Sequence, residues 1–423
     1  MGKKGMVQGF LKKASAATMA AVIIFSLTAC GSGGENSQPA ADESGDVNIS
    51  ATAEEESSEP ASATEEKSGK IALIMQQGGL GDQGFNDTAY AGLTECVDKY
   101  NIEFNAVECT DTTQGDTLIR ELCEGGYDMI INLEAGISAN MYAVSQDYPE
   151  IYFVAVGRQL QYNPVEGFET TPDNVLESYV TLNEHSFLAG VVAAFAATDG
   201  NTLIDGVAQN EGCNIGILFG AESVGFYQYG DGFRQGALFY NPDANVYIDY
   251  TVGFSDTANA QTIAENMINN MGCDVIWTCC GTAGLGGLQA CKMSNAFGIG
   301  VDSDQDEVQP GFILTSAIRD NSALMEYYVG KYVEGDLAQN EPAVFNLTNG
   351  GVDITDMSVI AQYVTDEDKL KELEDLLTKC RGWIADGTIE VFDARRASVE
   401  NDGERLDDWM KNSGKFVTLG ELE

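Results

Sequence analysis

The sequence predicts an α/β protein with two lobes, each built on a doubly wound parallel sheet. Short, nearly continuous apolar runs alternate with helix-length segments from residue 70 onward, as in strands that are buried on both faces. A second series of the same kind begins after an irregular stretch at 157–182. Open α/β sheets bind ligands at the carboxyl ends of their strands, so we expect a binding cleft where the two lobes face each other.

The elements of the first series follow one another in regular alternation. Apolar runs bounded by polar turns predict the strands, and the amphipathic period of the segments between them predicts the helices. The expected strands are 70–75, 102–108, 129–133 and 151–156, and the expected helices are 87–100, 117–124 and 139–148.

The second series begins with a helix at 184–197, whose small residues permit close packing on a sheet. Strands are then expected at 214–219, 246–251, 275–278 and 297–301, and helices at 229–239 and 259–270. Beyond about residue 352 we expect a helix at 367–384 and a short strand at 388–392, both packed on the second lobe. Lobe 1 is therefore assigned residues 70–182 and about 320–345, and lobe 2 is assigned 183–319 and about 346–423.

The charge distribution excludes two classes of partner. The chain has 22 Lys and Arg against 66 Asp and Glu, a net charge of −44 at pH 7. Proteins that hold nucleic-acid phosphates or anionic lipid headgroups by charge need basic patches, so neither partner is expected. Residues 70–423 alone carry 17 basic and 56 acidic side chains, which indicates a solvated anionic surface.

The first thirty residues are typical of a bacterial export signal. A Lys-rich start precedes an apolar run at 19–25 that is too short to remain as a membrane-spanning helix. Leu27-Thr28-Ala29-Cys30 resembles a lipobox, which implies cleavage before Cys30 and a diacylglycerol on its thiol; a plain signal peptide is the alternative. We expect a lipid anchor on the extracytoplasmic face of the cell membrane, followed by a flexible acidic tether up to residue 69.

The remaining nine cysteines and the single histidine, His185, do not form a recognisable metal or redox motif. No C-x-x-C pair occurs in the chain, so neither zinc binding nor thioredoxin-like chemistry is expected. Most of these cysteines lie within apolar patterns and are predicted to be buried small hydrophobes, although export is also compatible with disulfides.

A glycine-rich turn follows the first predicted strand. Gly79, Gly81 and Gly84 form a G-x-G-x-x-G pattern, with Glu108 near the end of the next strand. Taken alone, this pattern is the fingerprint of a dinucleotide-binding enzyme. A single motif of this kind is weak evidence for a dinucleotide site, and an exported protein has no ready supply of NAD. We therefore expect no cofactor.

The same turn supports a different hypothesis. Asp82-Gln83-Gly84-Phe85-Asn86, with Tyr90-x-Gly92 after it, resembles the opening motif of the BMP family, the basic membrane lipoprotein group of ABC-transporter substrate-binding proteins. Further matches run in family order over about residues 70–390, at 148–150, 186–190, 232–237, 241–243, 254–256, 281–284, 299–305 and 314–319.

This resemblance implies a type I periplasmic-binding-protein fold, and several members of the family bind purine nucleosides. It implies a receptor, not an enzyme, that delivers a small molecule to the permease and ATPase subunits of an importer. No metal is implied.

The resemblance also implies roles for particular residues. Phe85 would stack on one face of a base and Phe254 on the other, Asp302 would accept ribose hydroxyls, and Arg319 would contact the sugar. The glycines would let the backbone approach the ligand closely. The full set of implied ligand-binding residues is Gln76, Asp82, Phe85, Asn86, Phe254, Gly281, Gly284, Asp302 and Arg319.

Each role has a plainer alternative. Phe85 and Phe254 could be core aromatics, Asp302 could cap a helix, and Arg319 could pair with a surface acid.

The chain also departs from the family pattern at two positions. Gln76 and Gly157 stand where nucleoside-binding members usually have Asp, and Arg158 or Gln159 could replace the lost polar contacts. The same fold with a sugar or a signalling molecule as ligand therefore stays open. A surface enzyme of dehydrogenase or nucleosidase type and a sensor without a permease are further alternatives.

Overall fold

The computed structural model describes residues 68–200, 202–337 and 342–422. Residues 1–67, which include the predicted export signal, Cys30 and nearly all of the predicted tether, lie outside these ranges. In the described ranges, no helix combines the length and the apolar composition that crossing a membrane requires.

Twelve strands occur in the described ranges. They are β1 (Gly69–Met75), β2 (Ile102–Glu108), β3 (Met129–Asn132), β4 (Tyr152–Ala155), β5 (Val175–Val180), β6 (Asn214–Phe219), β7 (Asn245–Asp249), β8 (Val275–Cys279), β9 (Phe297–Asp302), β10 (Ile313–Arg319), β11 (Ala343–Phe345) and β12 (Val352–Ile354).

The α-helices of the same ranges alternate with these strands and then form the tail. They are α1 (Phe85–Tyr100), α2 (Gly115–Glu124), α3 (Ser138–Ser145), α4 (Leu182–Ala196), α5 (Val224–Tyr240), α6 (Thr257–Met271), α7 (Gly284–Ser294), α8 (Asn321–Glu334), α9 (Glu367–Ala385), α10 (Ala394–Glu400), α11 (Leu406–Asn412) and α12 (Leu419–Leu422).

The strands form two six-stranded sheets of related order. The first runs β11-β5-β4-β3-β1-β2 and the second runs β12-β10-β9-β8-β6-β7. Every pair is parallel except β10 with β12, which is antiparallel. The predicted fold class, α/β with two parallel sheets, is confirmed.

The chain passes between the two sheets three times. It leaves the first sheet after β5 and enters α4, which packs on β6, β10 and β12 of the second sheet. It returns after β10 to α8, which packs on α1, and it crosses again between β11 and β12. Three short connections therefore join the lobes, an arrangement that permits hinge motion.

Several of the aspartates cap the N-termini of helices. The side chains of Asp256, Asp320 and Asp366 accept backbone N–H bonds at the starts of α6, α8 and α9. This contact satisfies a free N–H group and complements the helix dipole. At the other end, Gly272 and Gly335 close α6 and α8 in the left-handed conformation that glycine adopts without strain.

Two expectations about secondary structure were wrong. Part of the stretch expected to be irregular, 157–182, forms β5, which pairs with both β4 and β11. The expected strand at 388–392 does not form. Its backbone pairs with one side-chain amide, because Gln235 accepts the Phe392 N–H at 2.7 Å and donates to the Glu390 carbonyl at 2.8 Å. One glutamine thus takes the place of a neighbouring strand.

All nine cysteines in the described ranges are buried and free of disulfides. They occupy positions in the apolar cores, where burial raises the thiol pKa and disfavours the reactive thiolate. The prediction that they act as small hydrophobic residues agrees with these positions.

Helices α4 and α5 approach each other at glycines. A Cβ atom at Gly190 of α4 would lie 2.1 Å from the Phe233 carbonyl oxygen, and one at Gly236 of α5 would lie 2.0 Å from the Phe187 carbonyl oxygen. Backbone atoms cannot move aside as flexible side chains do, so no larger residue fits at either position.

We expect Gly236→Ala to lower the free energy of unfolding by about 1–3 kcal/mol or more, because it forces α4 and α5 apart. Gly382→Ala is the matched control, since nothing lies within 4 Å of a Cβ at that position in α9. There alanine should stabilise the helix by about 0.5–1 kcal/mol. Urea unfolding followed by circular dichroism measures both, and effects of the same sign would contradict the packing argument.

Candidate ligand-binding site

A cavity of about 330 Å³ lies between the two lobes at the carboxyl ends of the strands. Six of the nine implied ligand-binding residues line it. Gln76 follows β1, Phe85 begins α1, Phe254 follows β7, Gly281 follows β8, Asp302 ends β9 and Arg319 ends β10. Residues far apart in the chain meet here because parallel strands point their carboxyl ends to one edge of each sheet.

Asp82 and Asn86 lie outside the lining of the cavity and organise the turn beside it. The Asp82 carboxylate accepts the backbone N–H groups of Gly84 and Asn86, each at 2.9 Å. The Asn86 amide accepts the Gln76 N–H at 2.9 Å and donates to the Gly79 carbonyl at 3.0 Å. Both side chains are therefore occupied within the turn, and they hold Phe85 at the start of α1.

The two implied glycines have different surroundings. Gly281 lines the cavity with φ +56°, and a Cβ there would lie 3.2 Å from the Phe254 carbonyl oxygen. Gly284 begins α7 outside the lining, where a Cβ would lie 3.3 Å from the Thr278 side chain. The structure thus brings Gly281 to the cavity and leaves Gly284 behind it.

Arg319 is a buried residue of the cavity wall, not a partner of a surface acid. Its guanidinium lies 4.7 Å from the centre of the Phe85 ring, in the geometry of a cation–π contact. Gly157 makes room for it, because a Cβ at that position would lie 2.7 Å from Arg319 Nη2. The two residues expected to contact base and sugar separately are stacked on each other.

The aromatic wall of lobe 2 is larger than the sequence indicates. The Phe254 ring packs over Gly220 and lies 6.1 Å, centre to centre, from Phe226. Phe226 and Tyr229 also line the cavity from α5. Their pattern in the sequence is that of an ordinary amphipathic helix, so nothing there separates them from core residues.

Asp302 is held in a strained backbone conformation beside this wall. Its φ is 65°, which is uncommon for a residue other than glycine. The carboxylate accepts a hydrogen bond from the Tyr229 hydroxyl at 3.3 Å and caps no helix in the described ranges. Withdrawal from water raises the Asp302 pKa to about 6, against the opposing attraction of Arg319.

Two more arginines reach the cavity from positions that the resemblance does not mark as contacts. Arg158 follows β4 and lines the cavity, as expected for a residue that could replace an aspartate at 157. Arg395 lies in the first turn of α10 and donates to the Gly157 carbonyl at 2.6 Å. Arg395 reaches the cavity because the C-terminal tail of the chain packs back across lobe 2.

The sequence matches a known protein family over most of its length. The family model described as Bmp, ABC transporter substrate-binding protein PnrA-like, matches residues 69–380. The chain belongs to the Bmp family. Its membership agrees with the resemblance found in the sequence, and the family is one of substrate-binding proteins of ABC transporters.

Relatives of this Bmp-family chain have low sequence identity to it but align over most of its length. It is 26% identical over 343 residues to the ABC transporter nucleoside-binding protein BmpA of Lactococcus lactis, covering 76% of this chain and 88% of that protein. It is 26% identical over 269 residues to basic membrane protein A of Borreliella afzelii, covering 63% and 75%.

Solved structures place the fold among solute-binding proteins. An ABC transporter solute-binding protein from Aeropyrum pernix matches with a TM-score of 0.66 at 20% identity, covering 80% of this chain and 97% of that one. One from Actinobacillus succinogenes with bound D-allose matches with a TM-score of 0.52 at 14% identity, covering 70% and 100%. At these identities the likeness concerns the fold alone.

We expect Asp302→Asn to stabilise the unliganded protein at pH 7.5. The folded state binds the Asp302 proton with a pKa of about 6 and the unfolded state with an ordinary value near 3.8, so the wild type loses stability as pH rises through this window. The variant lacks that loss, and at about 1.4 kcal/mol per pKa unit the gain reaches up to about 3 kcal/mol.

Thermal or urea unfolding of both proteins between pH 4 and 8 tests this expectation. The difference should shrink to less than about 1 kcal/mol near pH 4, where the carboxyl is protonated in the folded wild type and partly protonated in the unfolded chain. Asp306, whose pKa burial also raises to about 6, titrates in both proteins and cancels. A difference in stability that does not change with pH would contradict a raised pKa for Asp302 in the folded state.

Proposed function

We propose that this protein is the extracytoplasmic receptor of an ABC importer, and that it binds a nucleoside, with a purine favoured, and delivers it to the permease. The observation that supports this most directly is the cavity itself. It lies at the strand ends of both lobes and combines aromatic rings with a carboxylate that can accept hydroxyl hydrogens.

The two parts of a nucleoside correspond to two parts of the wall. A flat base gains affinity from stacking on aromatic rings such as Phe85 and Phe254, which line the cavity from opposite lobes. A ribose offers hydroxyl donors, and an ionised Asp302 accepts them. The Lactococcus lactis relative is named as a nucleoside-binding protein, which supports the same substrate class.

Binding would draw the lobes together, since ligand contacts from both sides exist only when the cleft is closed. Hydrogen bonds already link the lobes beside the cavity, where Ser303 and Gln305 both donate to the Gln83 carbonyl oxygen, the second at 2.9 Å. We place no catalytic step in this mechanism. The cleft would bind, hold and release its solute unchanged.

The proposed location rests on the leader. Lipidation of Cys30 would hold the receptor on the outer face of the cell membrane, and the acidic segment up to residue 69 would act as its tether. The permease and its ATPase are then the partners that the closed receptor would meet.

Titration calorimetry of the purified full-length chain with adenosine, guanosine, inosine, uridine and cytidine tests the substrate class. We expect Phe85→Ala and Asp302→Ala each to weaken nucleoside binding by at least about tenfold, equivalent to 1.4 kcal/mol. The first removes a stacking face and the second removes the hydroxyl acceptor.

Tyr247→Ala is the control, because Tyr247 is an exposed aromatic residue on the edge strand β7 and should leave affinity unchanged. If no nucleoside binds the wild type, the nucleoside assignment fails. Near-native affinity in either cavity variant would show that the substituted residue does not contribute to nucleoside binding.

A further inference from the structure

Three arginines of an otherwise strongly acidic protein meet in the ligand cavity. Arg158, Arg319 and Arg395, here called the arginine cluster, all line it. They come from three separate elements, the segment after β4, the end of β10 and the first turn of α10. The chain has only eight arginines and a net charge of −44, so three in one cavity is a concentration of positive charge against the general trend.

The cluster lacks the ion pairs that every other arginine makes. Outside the cavity, each guanidinium lies 2.7–3.8 Å from a carboxylate oxygen, at Arg120, Arg234, Arg381, Arg396 and Arg405. In the described ranges, no carboxylate oxygen lies within 4.0 Å of a guanidinium nitrogen of the cluster.

Several donors of the cluster have no hydrogen-bond partner at all. Nε and Nη2 of Arg319 and Nε of Arg395 are buried and unsatisfied with respect to the described residues. Both side chains are more than nine-tenths buried, with 8% and 5% of their surfaces exposed. An unpaired buried donor on a charged group is costly, so a structure retains it where a ligand supplies the acceptor.

Asp302, Asp393 and Glu134 attract the arginines of the cluster through space, but their hydrogen bonds are made with other groups. Asp302 accepts the Tyr229 hydroxyl bond, and Glu134 accepts the backbone N–H of Gly136 at 2.8 Å. Asp393 accepts the Tyr179 hydroxyl at 2.5 Å and caps α10 with its other oxygen.

The guanidinium groups also repel one another. Burial and the charge of Arg395 lower the pKa of Arg158, and burial together with the charge of Arg319 lowers that of Arg395. An anion bound among the three guanidinium groups would offset this repulsion.

From this geometry we propose that the solute carries an oxyanionic group, a phosphate monoester or a carboxylate, held by Arg158, Arg319 and Arg395. The inference rests on the proposed function as a solute receptor and narrows its substrate to an anionic class. Guanidinium groups bind such oxygens through paired N–H bonds, and three of them match the charge of a phosphate monoester better than that of a neutral nucleoside. The aromatic wall remains free to stack on the uncharged part of the same solute.

The test compares neutral and anionic probes on the full-length chain in phosphate-free buffer. Calorimetry with adenosine, guanosine and inosine is set against the same nucleosides as 5′-monophosphates, and glucose is set against glucuronate. We expect the anionic member of at least one pair to bind at least about tenfold more tightly than the neutral one. Which pair shows the difference identifies phosphate or carboxylate as the anionic group.

Arg158→Gln tests the cluster, because Arg158 is half-buried and its removal breaks no ion pair in the described ranges. It should weaken the preferred anionic probe by at least about tenfold and weaken the matching neutral probe by a clearly smaller factor. It should also raise the unfolding temperature of the unliganded chain, since an unpaired cation is removed. Arg120→Gln, which removes a half-buried arginine paired with Asp116 and Asp147 far from the cavity lining, is the control and should alter no affinity.

The outcomes separate this inference from the nucleoside proposal. Equal affinities for nucleosides and their monophosphates, unaffected by Arg158→Gln, would overturn the anionic site and leave a nucleoside receptor. Tight binding of glucuronate with no binding of any nucleoside or monophosphate would support the anionic site and reject the nucleoside. Failure of every anionic probe, or an equal loss of affinity for the anionic and neutral probes in a folded Arg158→Gln protein, would overturn the inference.

Discussion

Parallel pairing of the strands is the constraint on which the binding site depends. A parallel sheet collects the carboxyl ends of its strands along one edge, and the loops that follow them can all reach the same space. Gln76, Asp302 and Arg319 are separated by more than two hundred residues at the extremes, yet they line one cavity because each follows or ends such a strand. The three crossings between the sheets then bring the two edges face to face.

The protein uses opposite charges in different places. Its many acids lie mainly at the surface, where they pair with basic residues or begin helices, as Asp256 and Asp366 do. Its few arginines are either paired with carboxylates or turned toward the cavity without a carboxylate partner. This separation explains how a strongly acidic chain can have a basic cavity. The net charge of the chain therefore reflects its surface and does not predict the charge of its ligand.

Local sequence patterns were sufficient to predict most of the secondary structure and the family. The strands β2 and β6 have the predicted bounds, because a buried strand between two turns leaves little freedom in its ends. The wrong strand at 388–392 shows the limit of this reasoning. Ile389 and Phe392 are buried, but the group that satisfies the backbone of this segment is the side chain of Gln235, which no pattern near residue 390 could indicate.

The sequence by itself determined the fold class, the family and six of the residues in the cavity wall, since periodicity and motif order are properties of the chain. Only the tertiary structure decided which polar groups face the ligand and which are used up within the turn, as with Asp82 and Asn86. It also decided that Arg395, from the distant tail, joins Arg158 and Arg319. Whether a charged group is paired depends on what lies within a few ångströms in space, and distance along the chain does not measure that.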